Sequence, residues 1–276
     1  MNYYTSEKVT DHIAAIKSLS GEIMYLIEGE SKAALIDTCV GVGHIRDYAE
    51  RLTDKPITVL ISHGHIDHVM GAPEFERVYM NTKDIQLYQN QCALEGRKGY
   101  VAAGIGPETA AEIADEEYVP AKPDQEFEAL EDGMVFDLGG IHIDACAFPG
   151  HTKGCMIFLI REEKILILGD ACNNATFLFE DICSTVEDYQ EQVKKVSNLL
   201  EGRYDRVFLM HHVMDAPVSI LAEMSDVCDV VLAGKADNIP FSFMGKEAFI
   251  AKAANERFER RDGKFANLIY NPDRVR

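Results

Sequence analysis

Apolar positions along this chain follow two spacings. Short runs at 12–17, 24–28, 33–37 and 57–62 predict strands, with Ser20-Gly21 and Gly29-Glu30 as turns between the early ones. Before the last of these, Ile45, Tyr48, Ala49 and Leu52 fall on one face of a helix predicted over 44–52. Further helices are predicted over 82–94 and 107–117, joined by a flexible segment at 96–106. Strand-like runs resume at 134–138, 141–148, 155–161 and 164–168. A helix at 185–201, a strand at 206–210 and a helix from about 217 to 232 come next. Asp262-Gly263 predicts a hairpin in the tail. Strands and helices alternate in both halves, a pattern that places sheets between helices.

Composition narrows the class. The 276 residues are 47% apolar and 26% charged, as in an ordinary globular protein. No stretch approaches the roughly 20 apolar residues that span a bilayer, and the polar segment 1–11 does not read as a signal peptide. A cytoplasmic protein without a membrane partner is expected. Seven scattered cysteines, with no C-x-x-C pair, fit reduced buried thiols better than a disulfide framework. With 46 acidic against 27 basic side chains the net charge is −19. Such a surface repels phosphate backbones, and no basic cluster offsets it, so nucleic acid is not an expected partner.

The chemistry concentrates in Ser62-His63-Gly64-His65-Ile66-Asp67-His68, directly after a predicted buried strand. Imidazole nitrogens and carboxylate oxygens are the donors that zinc and similar divalent ions take. Only nine histidines occur in the chain, so three within six positions argue against a polar loop that is histidine-rich by chance.

H-x-H-x-D-H resembles the signature of the metallo-β-lactamase superfamily. Four other stretches resemble its motifs in the family's order: Leu35-Ile36-Asp37-Thr38, Phe148-Pro149-Gly150-His151-Thr152-Lys153-Gly154, Leu168-Gly169-Asp170-Ala171 and Leu209-Met210-His211-His212. The resemblance covers roughly residues 10–215. It implies a four-layer αββα sandwich, the metallo-β-lactamase fold, as a single domain over 1–276. The stretch 82–118 would form a helical lid insertion, and a C-terminal extension would begin at about 235.

The resemblance also implies roles. His63, His65 and His151 would hold one divalent ion and Asp67, His68 and His211 a second, with Asp170 bridging. Zinc is the first expectation, with iron or manganese as alternatives. A hydroxide shared by the ions would be the nucleophile, and Asp67 would orient it and relay a proton. The motif alignment favours His211 over the adjacent His212 as last ligand; His212 would then line the pocket. Lys153, inside a ligand loop, is a substrate-binding candidate. Tyr88, Tyr100, Tyr118, Arg97, Lys98, Asn173 and Asn174 are weaker ones, each more often a packing, surface or turn residue. The apolar stretches Phe177-Leu178-Phe179 and Phe241-Ser242-Phe243-Met244 suit core packing or a dimer contact better than a substrate wall.

His65 stands where flavodiiron relatives carry glutamate, and Asp170 where several true β-lactamases carry cysteine. Oxygen reduction and antibiotic hydrolysis are both disfavoured on that ground. The expected function is hydrolysis of a small ester, thioester, lactone or related bond, closest to the glyoxalase II-like branch, although no basic glutathione-binding region is evident. The alternatives are a mononuclear iron persulfide dioxygenase, a small-molecule phosphodiesterase and a non-catalytic metal-binding protein. A small-molecule substrate is the expected partner, and a homo-oligomer is left open.

Overall fold

A computed structural model of the protein describes residues 2–243 and 245–276. The chain forms two compact units, one of residues 1–145 with Met210–His212, the other of Cys146–Leu209 with Val213–Arg276.

The first unit is built on a seven-stranded sheet in simple chain order. Its strands are β1 (Tyr4–Lys8), β2 (Ile13–Ser18), β3 (Ile23–Glu28), β4 (Ala33–Ile36), β5 (Ile57–Leu60), β6 (Val78–Met80) and β7 (Glu128–Ala129). The first four pair antiparallel; β4 to β7 pair parallel. Ile-Met-Tyr-Leu-Ile in β3 and Ala-Ala-Leu-Ile in β4 are buried without alternation, the pattern of strands covered on both faces. The parallel crossovers carry α1 (Ile45–Ala49), α2 (Ile66–Val69), α3 (Ile85–Gln91), α4 (Leu94–Ile105) and α5 (Pro107–Ala110). Parallel strands require such crossovers, and their C-terminal ends are where loops carry side chains outward. The strands β8 (Val135–Asp137) and β9 (His142–Ala147) form a hairpin.

One expectation changes here. The segment 96–106 is not a flexible joint but falls largely in α4. Its glycines lower helix propensity, and tertiary anchors override them: Val101 is fully buried and the Arg97 guanidinium donates to the carbonyls of Val40, Gly41 and Val119. The polar N-terminal segment contributes β1, which pairs with β2 along its length.

In the second unit β10 (Met156–Ile160) and β11 (Ile165–Ile167) pair antiparallel, and β11 runs parallel to β13 (Arg206–His211). Helix α6 (Val186–Leu200) begins at Thr185, whose side chain accepts from the Asp188 N–H at 3.1 Å, with Glu187 and Asp188 in its first turn. It buries Val186, Tyr189, Val193, Val196 and Leu200 on one face and packs on α7 (Ile220–Leu232), where Gln190 donates to Asp229 at 2.6 Å. A four-stranded sheet is ordered β12 (Thr176–Leu178), β17 (Leu268–Tyr270), β16 (Lys246–Ile250), β15 (Ile239–Phe243). The short β14 (Val213–Ala216) precedes α7.

The tail hairpin is β15–β16, not the stretch around Asp262-Gly263. Those two residues turn a loop held from inside by Arg260, which is 8% exposed, grips the Asp262 carboxylate and donates to Ala266 O at 2.6 Å. The turn chemistry is legible in the sequence, but the turn joins no pair of strands. Of the second phenylalanine stretch, Met244 lies outside the described residues.

Candidate metal centre

In the first unit β4 and β5 end side by side, and the residues just beyond their C-terminal ends make the cluster. Asp37, with φ of 62°, lies immediately after β4; Ser62 and His63 lie just after β5. Asp37 Oδ1 accepts from the Ser62 N–H, and its Oδ2 from the Ser62 hydroxyl at 2.6 Å and His68 Nδ1 at 2.5 Å. The Ser62 hydroxyl proton is thus committed, so its oxygen accepts from His63 Nδ1 at 3.0 Å. One carboxylate sets the tautomers of two histidines, directly for His68 and through Ser62 for His63. Gly64 lets the loop close down: a Cβ there would lie 2.6 Å from Asp84 O, and the Gly64 N–H donates to the Asp84 carboxylate at 3.0 Å.

Beyond this frame His65 stacks edge-on to His63 with ring centroids 4.8 Å apart. The imidazole Nε2 atoms of His68 and His211 are 3.1 Å apart, and Asp67 Oδ2 is 3.5 Å from the former and 3.3 Å from the latter. His211 is placed by a backbone bridge to Glu22. His212, with φ of 49°, turns the other way; its N–H donates to Gly21 O at 2.9 Å and its ring lies over Gly21. Burial and the adjacent His211 push the His212 imidazole below its ordinary value.

In the second unit His151 and Asp170 come together, with Nε2 3.8 Å from Oδ2. His151 Nδ1 donates to Phe177 O at 2.8 Å, and Cys183 Sγ donates to His151 O. Tyr189 seats both loops. Its ring stacks on Phe148 and would be 2.3 Å from a Cβ at Gly150, and its hydroxyl donates to Ala171 O at 2.6 Å.

These contacts test whether the residues suit a metal ion. His63, His68 and His151 each spend Nδ1–H on a fixed acceptor, leaving Nε2 with a lone pair. In the first unit the Nε2 lone pair of His68 faces the Asp67 carboxylate; in the second that of His151 faces the Asp170 carboxylate. Acceptors turned towards one another are what a cation resolves, so the donor set fits divalent ions. Burial alone raises the Asp67 carboxyl, and it is positive charge on its His68 and His211 side, which a bound cation would supply with both imidazoles neutral, that holds it well below the usual carboxylate range. Tyr100 donates to Asp67 Oδ2 at 2.8 Å, and burial, with the charges of Asp67 and Glu22 adding to it, keeps its hydroxyl protonated.

Residues 23–211 match the family model described as the metallo-beta-lactamase superfamily, more than half of the chain. The chain belongs to the metallo-β-lactamase superfamily. A lactamase-like protein of Pestalotiopsis fici is 29% identical over 55% of this chain and 40% of its own length. An acyl-coenzyme A thioesterase of Bos taurus is 24% identical over 68% of this chain and 72% of its own. An atrochrysone carboxyl ACP thioesterase of Aspergillus fumigatus is 27% identical over 66% and 48%. The chain thus spans about half or less of the length of two of these relatives. Among solved structures, a sec-alkylsulfatase of Pseudomonas matches 84% of this chain and 42% of its own with a TM-score of 0.63 at 16% identity. A metallo-β-lactamase from Pontibacter korlensis matches 81% and 97% with a TM-score of 0.58 at 15% identity. Superfamily and fold therefore agree with the expectation from the motifs.

Several of the weaker candidate residues lie elsewhere. Arg97 is 1% exposed and fully used on backbone carbonyls, so it meets no substrate. Tyr88 donates to Lys122 O, Lys98 pairs with Asp115 at 2.6 Å, and Tyr118 is buried. Asn173 accepts the Ala175 N–H in a turn; Asn174 lies beside it, half-buried. Lys153 is exposed on the His151 loop. Sequence reading missed Ser62 as the link between Asp37 and His63. It also missed Glu22, a buried carboxylate whose Oε2 accepts from Ser20 at 2.6 Å. A lone acidic residue at the head of the apolar run Ile23–Glu28 was the available signal. No helix among the described residues is long and apolar enough to cross a membrane.

Proposed function

We propose that this chain is a binuclear metal-dependent thioesterase acting on a small acyl thioester. His63, His65 and His151 would hold one divalent ion, zinc by preference, and Asp67, His68 and His211 the other, with Asp170 shared between them. The observation that carries the reading is the tautomer frame: His63, His68 and His151, whose Nδ1 partners are fixed acceptors, each present an Nε2 lone pair, and two carboxylates face such lone pairs, acceptor against acceptor. The named activities of two relatives supply the bond, a thioester.

Bound ions of this kind lower the pKa of coordinated water from about 15.7 towards 7 and polarise a carbonyl. The chain's own residues do the rest. Asp67, kept ionised, orients the attacking water and takes its proton, and Tyr100 fixes the carboxylate rotamer. Asp37 and Ser62 hold the imidazoles against rotation. Water adds to the acyl carbon, the carbon–sulfur bond breaks, and the proton leaves with the thiol. Lys153, exposed on the His151 loop, is the side chain proposed to meet the substrate beside the ligands; His212, expected to line the pocket, has its ring over Gly21 instead.

Metal content of the purified protein, with turnover of thioesters, lactones and phosphodiesters, tests this directly. About two divalent ions per chain and chelator-sensitive thioester hydrolysis are expected. His63→Ala should lose metal while keeping its circular dichroism. One iron with oxygen uptake on a persulfide and no hydrolysis would replace the reading with the dioxygenase.

A further inference from the structure

The four-stranded sheet of the second unit has one face in the core and one that is aromatic. Register fixes which residues share each face. Phe177 stands beside Ile269, Ile269 beside Ile250, and Ile250 beside Ile239; Phe241 stands beside Ala248 and Phe243 beside Lys246. The opposite face carries Leu178, Leu268 and Tyr270 into the main core. A sheet with one face in the core normally turns polar residues outward. Here an apolar cluster forms instead: Phe179, Ala248, Ile250 and Ile269 are buried in it and Phe177, Phe241 and Phe258 pack against them, with Phe177 5.1 Å from Phe179, 5.8 Å from Phe241 and 5.2 Å from Phe243 between ring centroids. Phe258 closes on Phe241 at 6.0 Å. The outer edge stays open, Ile239 being 39% and Phe243 37% exposed.

This face is joined to a metal-ligand residue. The carbonyl of Phe177 is the acceptor that fixes His151, so the aromatic face begins one hydrogen bond from an imidazole of the proposed centre. We propose that Phe177, Phe241, Phe243 and Ile239 form the binding surface for the apolar acyl chain of the substrate, which makes the enzyme selective for medium or long acyl thioesters. The proposal rests on the thioesterase reading for its substrate and on the sheet alone for its surface. A second copy of the chain is the weaker occupant. Stable protein interfaces bury roughly 1,600 Å², whereas of these four side chains only Ile239 and Phe243 are exposed, a strip of the kind an alkyl chain covers.

Two measurements test it. In the metal-loaded enzyme, kcat/KM across saturated acyl-coenzyme A substrates from acetyl to dodecanoyl should climb by about two- to fourfold per methylene before levelling, the gain expected for burying each group. Phe243→Ala and Phe241→Ala should flatten that climb, lowering the decanoyl-to-acetyl ratio about tenfold, while Phe243→Leu keeps most of it. Independently of turnover, decanoate titrated into the protein should shift aromatic-ring NMR signals, and Phe243→Ala should weaken its binding about tenfold. Thioester turnover that ignores chain length, with decanoate binding untouched by either alanine, removes the acyl surface and leaves the thioesterase. Decanoate binding that depends on Phe243 without turnover of any thioester removes the thioesterase and leaves an apolar ligand site. Concentration-dependent self-association abolished by Phe243→Ala, with chain preference unchanged, would show that the face serves a dimer instead.

Discussion

Arg97 shows how a residue that looks functional can be structural. Its planar guanidinium reaches three carbonyls at once, and a lysine's point charge cannot reproduce that fork. Arg97→Met should lower the unfolding free energy in urea by about 3 kcal/mol or more, since each buried carbonyl losing its donor costs about 1–3 kcal/mol. A loss under about 0.5 kcal/mol would mean the carbonyls find other partners. His44 behaves differently because it titrates. Its Nδ1 pairs with Glu74 at 2.7 Å, and this bond, against partial burial, raises the imidazole above its ordinary value. The stabilisation it contributes is complete below the unfolded value of about 6.5 and fades as pH rises through the elevated folded value. In NMR titration the His44 midpoint should drop towards about 6.5 in Glu74→Gln, and the variant's melting temperature should approach wild type as pH increases. The histidine-rich motif stood out at this scale because imidazoles are scarce in the chain and closely spaced there. The partners of Arg97 were not, because all are backbone atoms and carry no sequence signal.

Elements were legible where burial is continuous or periodic. The strands β3, β4 and β10 and the helices α6 and α7 lie within a few residues of their predicted spans. Misses fall where local preference and tertiary contact disagree. Helix α4 contains Gly96, Gly99 and Gly104, yet its buried arginine and Val101 hold it helical. Gly99 is exposed with no atom near its missing Cβ. Gly99→Ala should therefore raise stability by about 0.5–1 kcal/mol, seen as a higher denaturation midpoint at unchanged slope. Gly150→Ala should do the opposite, because its methyl would enter the Tyr189 ring. It is expected to reduce metal affinity as well, His151 being the next residue. Tyr189→Phe keeps the ring and loses only the bond to Ala171, a loss of about 1 kcal/mol. The contrast between those two variants separates the ring's packing from its hydroxyl. The β15–β16 hairpin went unread because its strands are short and one of them begins Ile-Pro, a weak strand signal.

At the scale of the whole molecule the excess of acid dominates. A net charge of −19 on 276 residues repels itself, so the melting temperature should rise on going from about 0.02 to 0.3 M sodium chloride, as screening shortens from tens of ångströms to a few. A fall with salt would mean that ion pairs outweigh the repulsion. The family's fold was visible from ordered motifs, whereas the grouping of the chain into two compact units rests on contacts between residues distant in sequence, which no motif marks. That division has its own consequence through Met210–His212, which return to the first unit long after the rest of it has been made. The bridge between Glu22 and His211 closes across most of the chain, a contact whose loop entropy must be met late. During synthesis, a nascent chain that has emerged from the ribosome only as far as Phe208 has exposed its histidine loop and its sheet. It still lacks the closing strand segment. Pulse proteolysis of stalled chains should find the N-terminal half protease-sensitive until residue 212 has emerged, and an enzyme assembled this way acquires its last imidazole only as translation draws to its end.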